Sequence, residues 1–214
     1  MTGVARRKLD RIGDEVARAT SLVRYDPGSA FSEHTHGGGE EFFVLEGTFQ
    51  DEHGDYPAGT YVRNPVGSAH TPGSAEGCVI FVKLHQFDPT DQAQFSVDTR
   101  REPFRPGAVP GLSVLPLHSF AGESCALVRW APGTMFQPHK HWGGEEILVL
   151  EGVFSDEHGD YPAGTWLRNP HGSLHTPFST PGCLIYVKTG HLHDADTPKT
   201  ASLKPYTQPK RTAP

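Results

Sequence analysis

Apolar and polar residues alternate in short runs along this chain, and no long helical period occurs. The runs are separated by turn-forming residues, 24 Gly and 19 Pro. Alternation with a period of two is typical of strands that bury one face, and Gly and Pro between short runs indicate turns. The pattern therefore predicts an all-β protein with strands at Phe42–Phe49, Thr60–Asn64 and Cys78–Lys83 and at the equivalent positions 105 residues later.

Two further stretches are predicted to form β-hairpins. The stretch Val4–Tyr25 has two apolar runs on either side of Gly13 and Asp14, and Leu112–Trp130 has the same arrangement around Ala121 and Gly122. A glycine-containing pair between two alternating runs favours a tight turn, so each stretch should fold back on itself.

The strand pattern is repeated within the chain. The segment Gly38–Pro72 recurs as Gly143–Pro177, with the same residue at 27 of 35 positions. A repeat of this length is a duplicated domain, because each copy holds enough strands to close a core of its own. We expect a first barrel at 1–90, a linker at 91–110, a second barrel at 111–194 and a C-terminal tail at 195–214.

Each copy carries three histidines and a glutamate at metal-ligand spacing. Two histidines that lie two residues apart point to one face of a strand, and the glutamate begins the next strand. The third histidine must arrive from a distant strand. Imidazole and carboxylate together suit zinc, iron, manganese, nickel or copper. The predicted ligands are His34, His36, Glu40 and His70 in the first copy and His139, His141, Glu145 and His175 in the second.

Both copies fit the two sequence motifs of the cupins. In the first copy these are Gly28, His34-x-His36, Glu40 and Gly47, followed by Gly59, Pro65-x-Gly67 and His70. The strings GGEE, VLEG, DEHGDYPAG and RNP-x-GS resemble the C-terminal cupin domain of the ChrR-type anti-sigma factors. This resemblance covers nearly the whole chain. It implies two tandem cupin β-barrels of the RmlC-like jelly-roll type, with up to two divalent metal ions per chain, zinc or iron first among them.

Residues beside the ligands differ in what they are expected to do. Glu41 and Glu146 have the opposite strand parity to the ligands, so they should face outward or support a ligand by hydrogen bonding. The expected walls differ between the copies: Phe42 against Ile147, Tyr61 against Trp166, Phe81 against Tyr186, and Gly37 against Trp142. Different walls suggest that one site binds a small molecule while the other is structural. The sequence leaves open which is which.

Other candidate residues are weaker. His171 replaces Val66 four residues before His175 and could place an acid or base near the second site, although a surface loop explains it better. The three cysteines are odd in number and include no Cys-x-x-Cys pair, which argues against a disulfide framework. Cys78 and Cys183 are expected to be small buried hydrophobic residues, rather than redox-sensing thiols.

Charge and length limit the partners. The net charge is −6 with no large basic patch, so nucleic acid is not an expected partner. No signal peptide and no apolar run of membrane-spanning length occur, and we expect a cytoplasmic protein without a membrane partner. A sigma factor is not expected either, because the zinc-binding N-terminal domain that grips it in the ChrR-type proteins is missing. A homodimer remains open.

Three functions are compatible with the sequence. The first is a metal-binding module that binds or senses a small molecule or oxidant, as the resemblance implies. The second is an Fe(II)-dependent dioxygenase that cleaves an aromatic ketone or diketone, because the same ligand set supports such enzymes in other cupins. The third is a purely structural metal that holds each barrel closed. Iron and oxygen uptake would favour the enzyme, whereas zinc and a response to ligand or oxidant would favour the sensor.

Overall fold

The computed structural model describes residues 3–14 and 16–192. The predicted tail at 195–214 lies outside these residues. Every regular element in the described part is a β-strand, so it contains no helix that could cross a membrane. The all-β prediction is therefore confirmed. The chain divides into two compact units, Met1–Glu102 and Pro103–Pro214, in agreement with the duplication.

The first unit is an antiparallel β-barrel. Its strands are β1 Val4–Ile12, β2 Arg18–Tyr25, β3 Ser29–Ala30, β4 His34–Thr35, β5 Glu40–Asp51, β6 Gly54–Pro57, β7 Thr60–Asn64, β8 Ala69–His70, β9 Gly73–Ser74, β10 Cys78–Leu84 and β11 Phe95–Asp98. The main sheet has the order β1-β2-β10-β5-β7-β11, and the second half of β5 pairs with β6 and β9. β1 and β2 form the predicted first hairpin.

Alternate residues of these strands form the interior of the barrel. Phe42 and Val44 on β5 pack with Val62 on β7 and with Ile80 and Val82 on β10. A one-residue shift of register would turn this whole set to the other side, so the buried face fixes the pairing. The strand register therefore decides which side chains can reach the interior.

The second unit repeats this arrangement. Its strands are β12 Arg105–Pro106, β13 Leu112–Phe120, β14 Glu123–Trp130, β15 Thr134–Met135, β16 His139–Lys140, β17 Glu145–Asp156, β18 Gly159–Pro162, β19 Trp166–Asn169, β20 Leu174–His175, β21 Phe178–Ser179 and β22 Cys183–Thr189. β13 and β14 are the predicted second hairpin. The interior cluster contains Trp130, Ile147, Phe154, Leu167 and Ile185.

The segment 91–110, predicted as a linker, also contributes strands. β11 pairs with β7 and extends the first sheet, while β12 pairs with β13 and extends the second. Both strands are short, and their sequence is rich in proline and charge, so periodicity did not reveal them. The two compact units meet in sequence at Glu102 and Pro103, within this segment.

All three cysteines are buried, and for Cys78 and Cys183 this is the environment that the sequence predicts. Cys78 and Cys183 lie in the interior clusters of the first and second barrel. Burial raises the pKa of each thiol to about 11, against a weaker opposite effect of the neighbouring Ser74 or Ser179. Because the thiolate is the reactive form, these thiols are poorly suited to sense oxidants.

Candidate metal centres

A two-stranded ribbon brings two predicted ligands of the first barrel together. β4 pairs with β8, and His34 lies directly opposite His70. His36 follows just after β4, where its backbone N–H donates to Ser68 at 2.8 Å and its carbonyl accepts from Gly67 at 2.9 Å. The turn between Pro65 and Ser68 thus holds the third imidazole beside the other two, and the His-x-His pair converges although only its first member is in the strand.

The carboxylate comes from the start of β5. Gly39 precedes Glu40 with φ of 74°, a left-handed conformation that favours glycine. A Cβ atom at Gly39 would also lie 2.4 Å from the ring of Phe87, so no side chain fits there. This turn directs Glu40 toward the imidazoles, and its Oε1 lies 3.7 Å from Nε2 of His36 and 3.5 Å from Nε2 of His70.

The second barrel reproduces this geometry. His139 lies opposite His175 on β16 and β20. Glu145 places its Oε2 atom 3.5 Å from Nε2 of His141 and 3.8 Å from Nε2 of His175. In each barrel the four predicted residues offer ligand atoms that all lie within 4.8 Å of one another. Each group is therefore compact enough to hold one metal ion.

The state of the imidazoles also fits a metal. Four Nε2 atoms, those of His36, His70, His141 and His175, are buried and have no hydrogen-bond partner among the described residues. A buried polar atom without a hydrogen-bond partner destabilises the fold by about 1–3 kcal/mol. Two such nitrogen atoms close together in each barrel therefore indicate a bound partner between them. One ion in each barrel would satisfy the two nitrogen atoms there.

The other ring nitrogen sets the tautomer. Nδ1 of His34 lies 3.1 Å from the carbonyl oxygen of Ser32, and Nδ1 of His139 lies 3.0 Å from that of Gln137. A carbonyl oxygen only accepts, so Nδ1 must carry the proton in both rings. Nε2 is then the atom with the free lone pair, as metal binding requires.

Each barrel contains an acidic partner of one imidazole that the sequence pattern did not reveal. Asp51 accepts a hydrogen bond from Nδ1 of His70 at 3.1 Å, and Asp156 accepts one from His175 at 3.2 Å. Asp51 is itself held by the backbone N–H of His53 at 2.9 Å. Both aspartates are the first residue of the repeated string DEHGDYPAG, whose composition a hairpin turn explains equally well. The only signal for the aspartates in the sequence was that this string is identical in the two copies.

A second missed residue supports the carboxylate. The side-chain amide of Asn64 donates to Glu40 at 3.3 Å, and that of Asn169 donates to Glu145 at 2.9 Å. Each asparagine lies in the repeated string RNP, on the strand that pairs with the start of β5 or β17. A carboxylate that is both hydrogen-bonded and buried keeps a fixed orientation toward the imidazoles.

One predicted wall pair, Gly37 and Trp142, is wrong, because Trp142 is 71% exposed. The other six predicted wall residues lie on strands and fall into two groups. Phe42 and Ile147 belong to the interior clusters, on the same side of the strand as the ligands. The prediction that Tyr61 lines the site is wrong. Phe42 pairs with Val62, so Tyr61, the neighbour of Val62, points to the other face of β7. The prediction fails in the same way for three other residues, Trp166, Phe81 and Tyr186, whose partners lie on that other face.

The acidic neighbours of the ligands lie on this other face. Glu41 is buried, with a hydrogen bond from the Tyr61 hydroxyl at 2.6 Å and an ion pair with Arg63 at 3.3 Å. Glu146 is buried too, and Arg168 lies 3.1 Å from it. Both face away from the barrel interior, as their parity predicts, but they are buried ion-pair partners and not solvent-exposed side chains.

His171 occupies an exposed turn, so the structure favours the surface interpretation. Its Nδ1 accepts a hydrogen bond from the backbone N–H of Gly143 at 2.9 Å, and its ring lies 5.6 Å from that of Trp142. These contacts brace the turn before Glu145. They do not direct His171 at the four ligand atoms.

Burial shifts the pKa values of the clustered groups in different directions. Desolvation, with smaller effects of the neighbouring histidines, lowers the pKa of His36 to about 3 and that of His141 to about 4. Desolvation raises the pKa of Glu40 and of Glu145, against hydrogen bonds from asparagine and the charge of the third histidine. Burial would lower the pKa of His70, but the Asp51 hydrogen bond and the Glu40 charge outweigh it and raise that pKa.

Metal affinity should therefore fall as the pH falls below neutral. His36 and His141 stay neutral down to a pH of about 3 or 4 and do not compete with a metal before that. Glu40 and Glu145 hold their protons at a higher pH than an ordinary carboxyl, so weakening begins above the usual value of 4.5. Below the pKa of a ligand, the metal must displace a proton from it, and metal affinity then falls about tenfold for each unit by which the pH falls. Competition with a chromophoric chelator between pH 5 and 7.5 measures this, and a flat profile would contradict it.

The fold and the paired sites now allow comparison with known proteins. The sequence model of the ChrR Cupin-like domain matches the chain twice, over residues 1–88 and 92–193. This chain belongs to the ChrR Cupin-like family. The family resemblance and the two tandem cupin barrels predicted from the sequence are thereby confirmed. No curated protein matches this cupin significantly in sequence.

Solved cupin structures share the fold at low sequence identity. A Nostoc punctiforme protein described provisionally as a dioxygenase superposes with a TM-score of 0.74 at 16% identity, over 96% of this chain and 78% of its own. Bacillus subtilis oxalate decarboxylase gives 0.62 at 16%, over 92% and 75%. The salicylate 1,2-dioxygenase of Pseudoaminobacter salicylatoxidans, solved with gentisate, gives 0.63 at 14%, over 80% and 68%. These likenesses establish the architecture alone.

Proposed function

We propose that this bicupin binds one divalent metal ion in each barrel and uses the ions to bind or sense a small molecule or oxidant. One observation carries the proposal. In each barrel, buried Nε2 atoms that have no hydrogen-bond partner among residues 3–14 and 16–192 converge on a buried carboxylate. Zinc and iron suit this donor set best, and manganese or nickel would also fit. The proposed ligands are the eight residues of the two groups, His34, His36, Glu40, His70, His139, His141, Glu145 and His175.

The protein's own residues would prepare the site for a ligand. Asp51 and Asp156 orient one imidazole in each barrel, and Asn64 and Asn169 orient the carboxylate. A bound metal would act as a Lewis acid toward oxygen atoms of a ligand, with one or two positions left by the four side chains. The buried thiols of Cys78 and Cys183 have raised pKa values and are poor oxidant sensors, so we assign a response to an oxidant to the metal sites.

An Fe(II)-dependent dioxygenase acting on an aromatic ketone or diketone is the alternative. The apolar surroundings of the ligands favour it, since Phe49 lies 5.9 Å from His70, and Phe31 lies 6.3 Å from His34. Aromatic side chains exclude water and suit a planar apolar substrate. Dioxygenases among the structural neighbours are compatible with this reading.

Metal analysis of the full chain tests both proposals. We expect about two ions per chain when protein expressed without added metal is measured by mass spectrometry, because each barrel carries a complete set of four donors. Iron, together with oxygen uptake on addition of an aromatic diketone, would support the enzyme. Zinc without oxygen uptake would support the binding or sensing module. A protein that carries no metal and takes up neither zinc nor iron would contradict the proposed function in both forms.

A further inference from the structure

The first hairpin places charged residues on the interior side of the first barrel. Tyr25 and Val23 of β2 belong to the interior cluster. On β1, Val4 pairs with Tyr25 and Arg6 pairs with Val23. Directly opposed residues of an antiparallel pair point to the same side of the sheet, so Val4 and Arg6 share the interior face. Val4 indeed packs against the interior cluster, and Arg6 follows it at the exposed edge.

Two polar groups at this wall have no hydrogen-bond or ion-pair partner among the described residues. Arg6 is exposed, and its guanidinium makes no hydrogen bond or ion pair within the described part of the chain. Tyr25 is 5% exposed, and its hydroxyl makes no hydrogen bond there either. Arginine presents five donors in a planar fork, and a tyrosine hydroxyl presents one. The wall therefore offers hydrogen-bond donors that no acceptor in the described residues uses.

Both groups lie within electrostatic reach of the proposed metal ligand Glu40. Burial raises the pKa of Tyr25, the charge of Glu40 raises it further, and the charge of Arg6 acts in the opposite direction. Arg6 also opposes the effect of burial on the pKa of Glu40. The strand pairing places the exposed Arg6 beside the buried Tyr25 on the side of the sheet that faces the interior, the side that also carries Glu40.

The second barrel lacks this combination. Val114 pairs with Val128, which is the counterpart of Val23, so Val114 stands where the first barrel has Arg6. Trp130 stands in place of Tyr25, and its buried Nε1 has no partner in the described structure. An indole N–H can donate one hydrogen bond but carries no charge. The two sites therefore share their ligands and differ in the charge of the wall.

We propose that the first barrel, and not the second, binds a small carboxylate at its metal centre, with Arg6 pairing with the charge and the Tyr25 hydroxyl donating a hydrogen bond. The inference rests on the proposed function, because the metal is taken to hold the ligand in place. Arginine recognises carboxylates by paired hydrogen bonds, which are stronger when both partners are charged. The neutral wall with Val114 and Trp130 would suit an uncharged ligand.

The test uses full-length protein loaded with Co²⁺, whose visible spectrum reports on bound ligands. Replacing His139 and His141 by alanine leaves the first site alone, and replacing His34 and His36 leaves the second. Each protein is titrated with acetate and with acetamide, which has a similar shape and no charge. Arg6→Gln is compared with Arg24→Gln, because Arg24 lies on the opposite face of β2 and pairs with Asp26 at 3.2 Å in solvent.

We expect the first site to bind acetate about tenfold more tightly than the second, and Arg6→Gln to remove that advantage, as for one charge-assisted hydrogen bond. Arg24→Gln and the acetamide titration should show no such difference. Val114→Arg should raise acetate affinity in the protein that keeps only the second site. Equal acetate binding by both sites, or an Arg6→Gln variant like the parent, would overturn the inference while metal binding stands. Failure of both proteins to hold Co²⁺ would overturn the proposed function, and this inference with it.

Discussion

Replacing His34 and His36 together by alanine is expected to remove one of the two metal ions and leave the other in place. The variant loses two of the four atoms that converge in the first barrel, so the effect should exceed the roughly 10–100-fold loss caused by removing an outer partner of a ligand. At a free metal concentration a hundredfold above the dissociation constant, the lost ion also withdraws about 2.7 kcal/mol of stability. Metal analysis and calorimetry measure both effects.

The duplication supplies the controls for this experiment. The pair His139 and His141, replaced in the same way, should remove the other ion. Replacing His53 and His158 also removes two histidines, but these lie in the exposed turns of the repeated string DEHGDYPAG, outside the two ligand groups. That variant should keep both ions. Loss of both ions from the His34 and His36 variant would show that the sites are not independent.

Asp51→Asn is expected to weaken metal binding at the first site by about 10–100-fold, the usual effect of losing an outer carboxylate partner. Asparagine keeps the size of the side chain but lacks the charge that makes the hydrogen-bonded His70 a better donor to a metal. Asp156→Asn should do the same at the second site, through His175. Chelator competition, site by site in the paired histidine variants, measures the change.

A structural contribution of Asp51 can be separated from its effect on His70. The other oxygen of Asp51 accepts from the Tyr56 hydroxyl at 3.2 Å. Tyr56→Phe removes this bond and leaves the contact with His70 intact, so we expect metal affinity to change by less than about threefold, within the usual range for one partly buried hydrogen bond. If Tyr56→Phe weakens binding as much as Asp51→Asn, the aspartate acts on the hairpin and not on the imidazole.

The ligand groups could be predicted because most of the ligands lie close together in sequence and their spacing occurs twice. His34, His36 and Glu40 lie within seven residues, and an independent copy repeats their spacing together with the distant histidine. Strand alternation likewise identified Phe42 and Ile147 as interior residues. In each case a short stretch of sequence determines which side chains share a face.

The rest depends on which strands pair and in which register. Tyr61 has the periodicity of a wall residue, but the pairing of Phe42 with Val62 turns it away from the interior. Asp51 is separated from His70 by 19 residues, and no local pattern joins them. β11 is only four residues long and becomes part of a sheet through its pairing with β7. Such long-range contacts are properties of the closed barrel and leave little trace in single-sequence periodicity.

The position of His70 has a mechanical consequence. Its ring lies 3.5 Å from Glu40 at one end of β5 and 3.1 Å from Asp51 at the other, although twelve extended residues would span about 35 Å. The strand bends between these ends, beside the register shift opposite Val79 and Ile80. The His70 imidazole therefore connects the two ends of a bent strand. A change that straightens β5 would move Glu40 and Asp51 apart and separate the ligand atoms. The affinity for the metal ion therefore depends on the curvature of this strand.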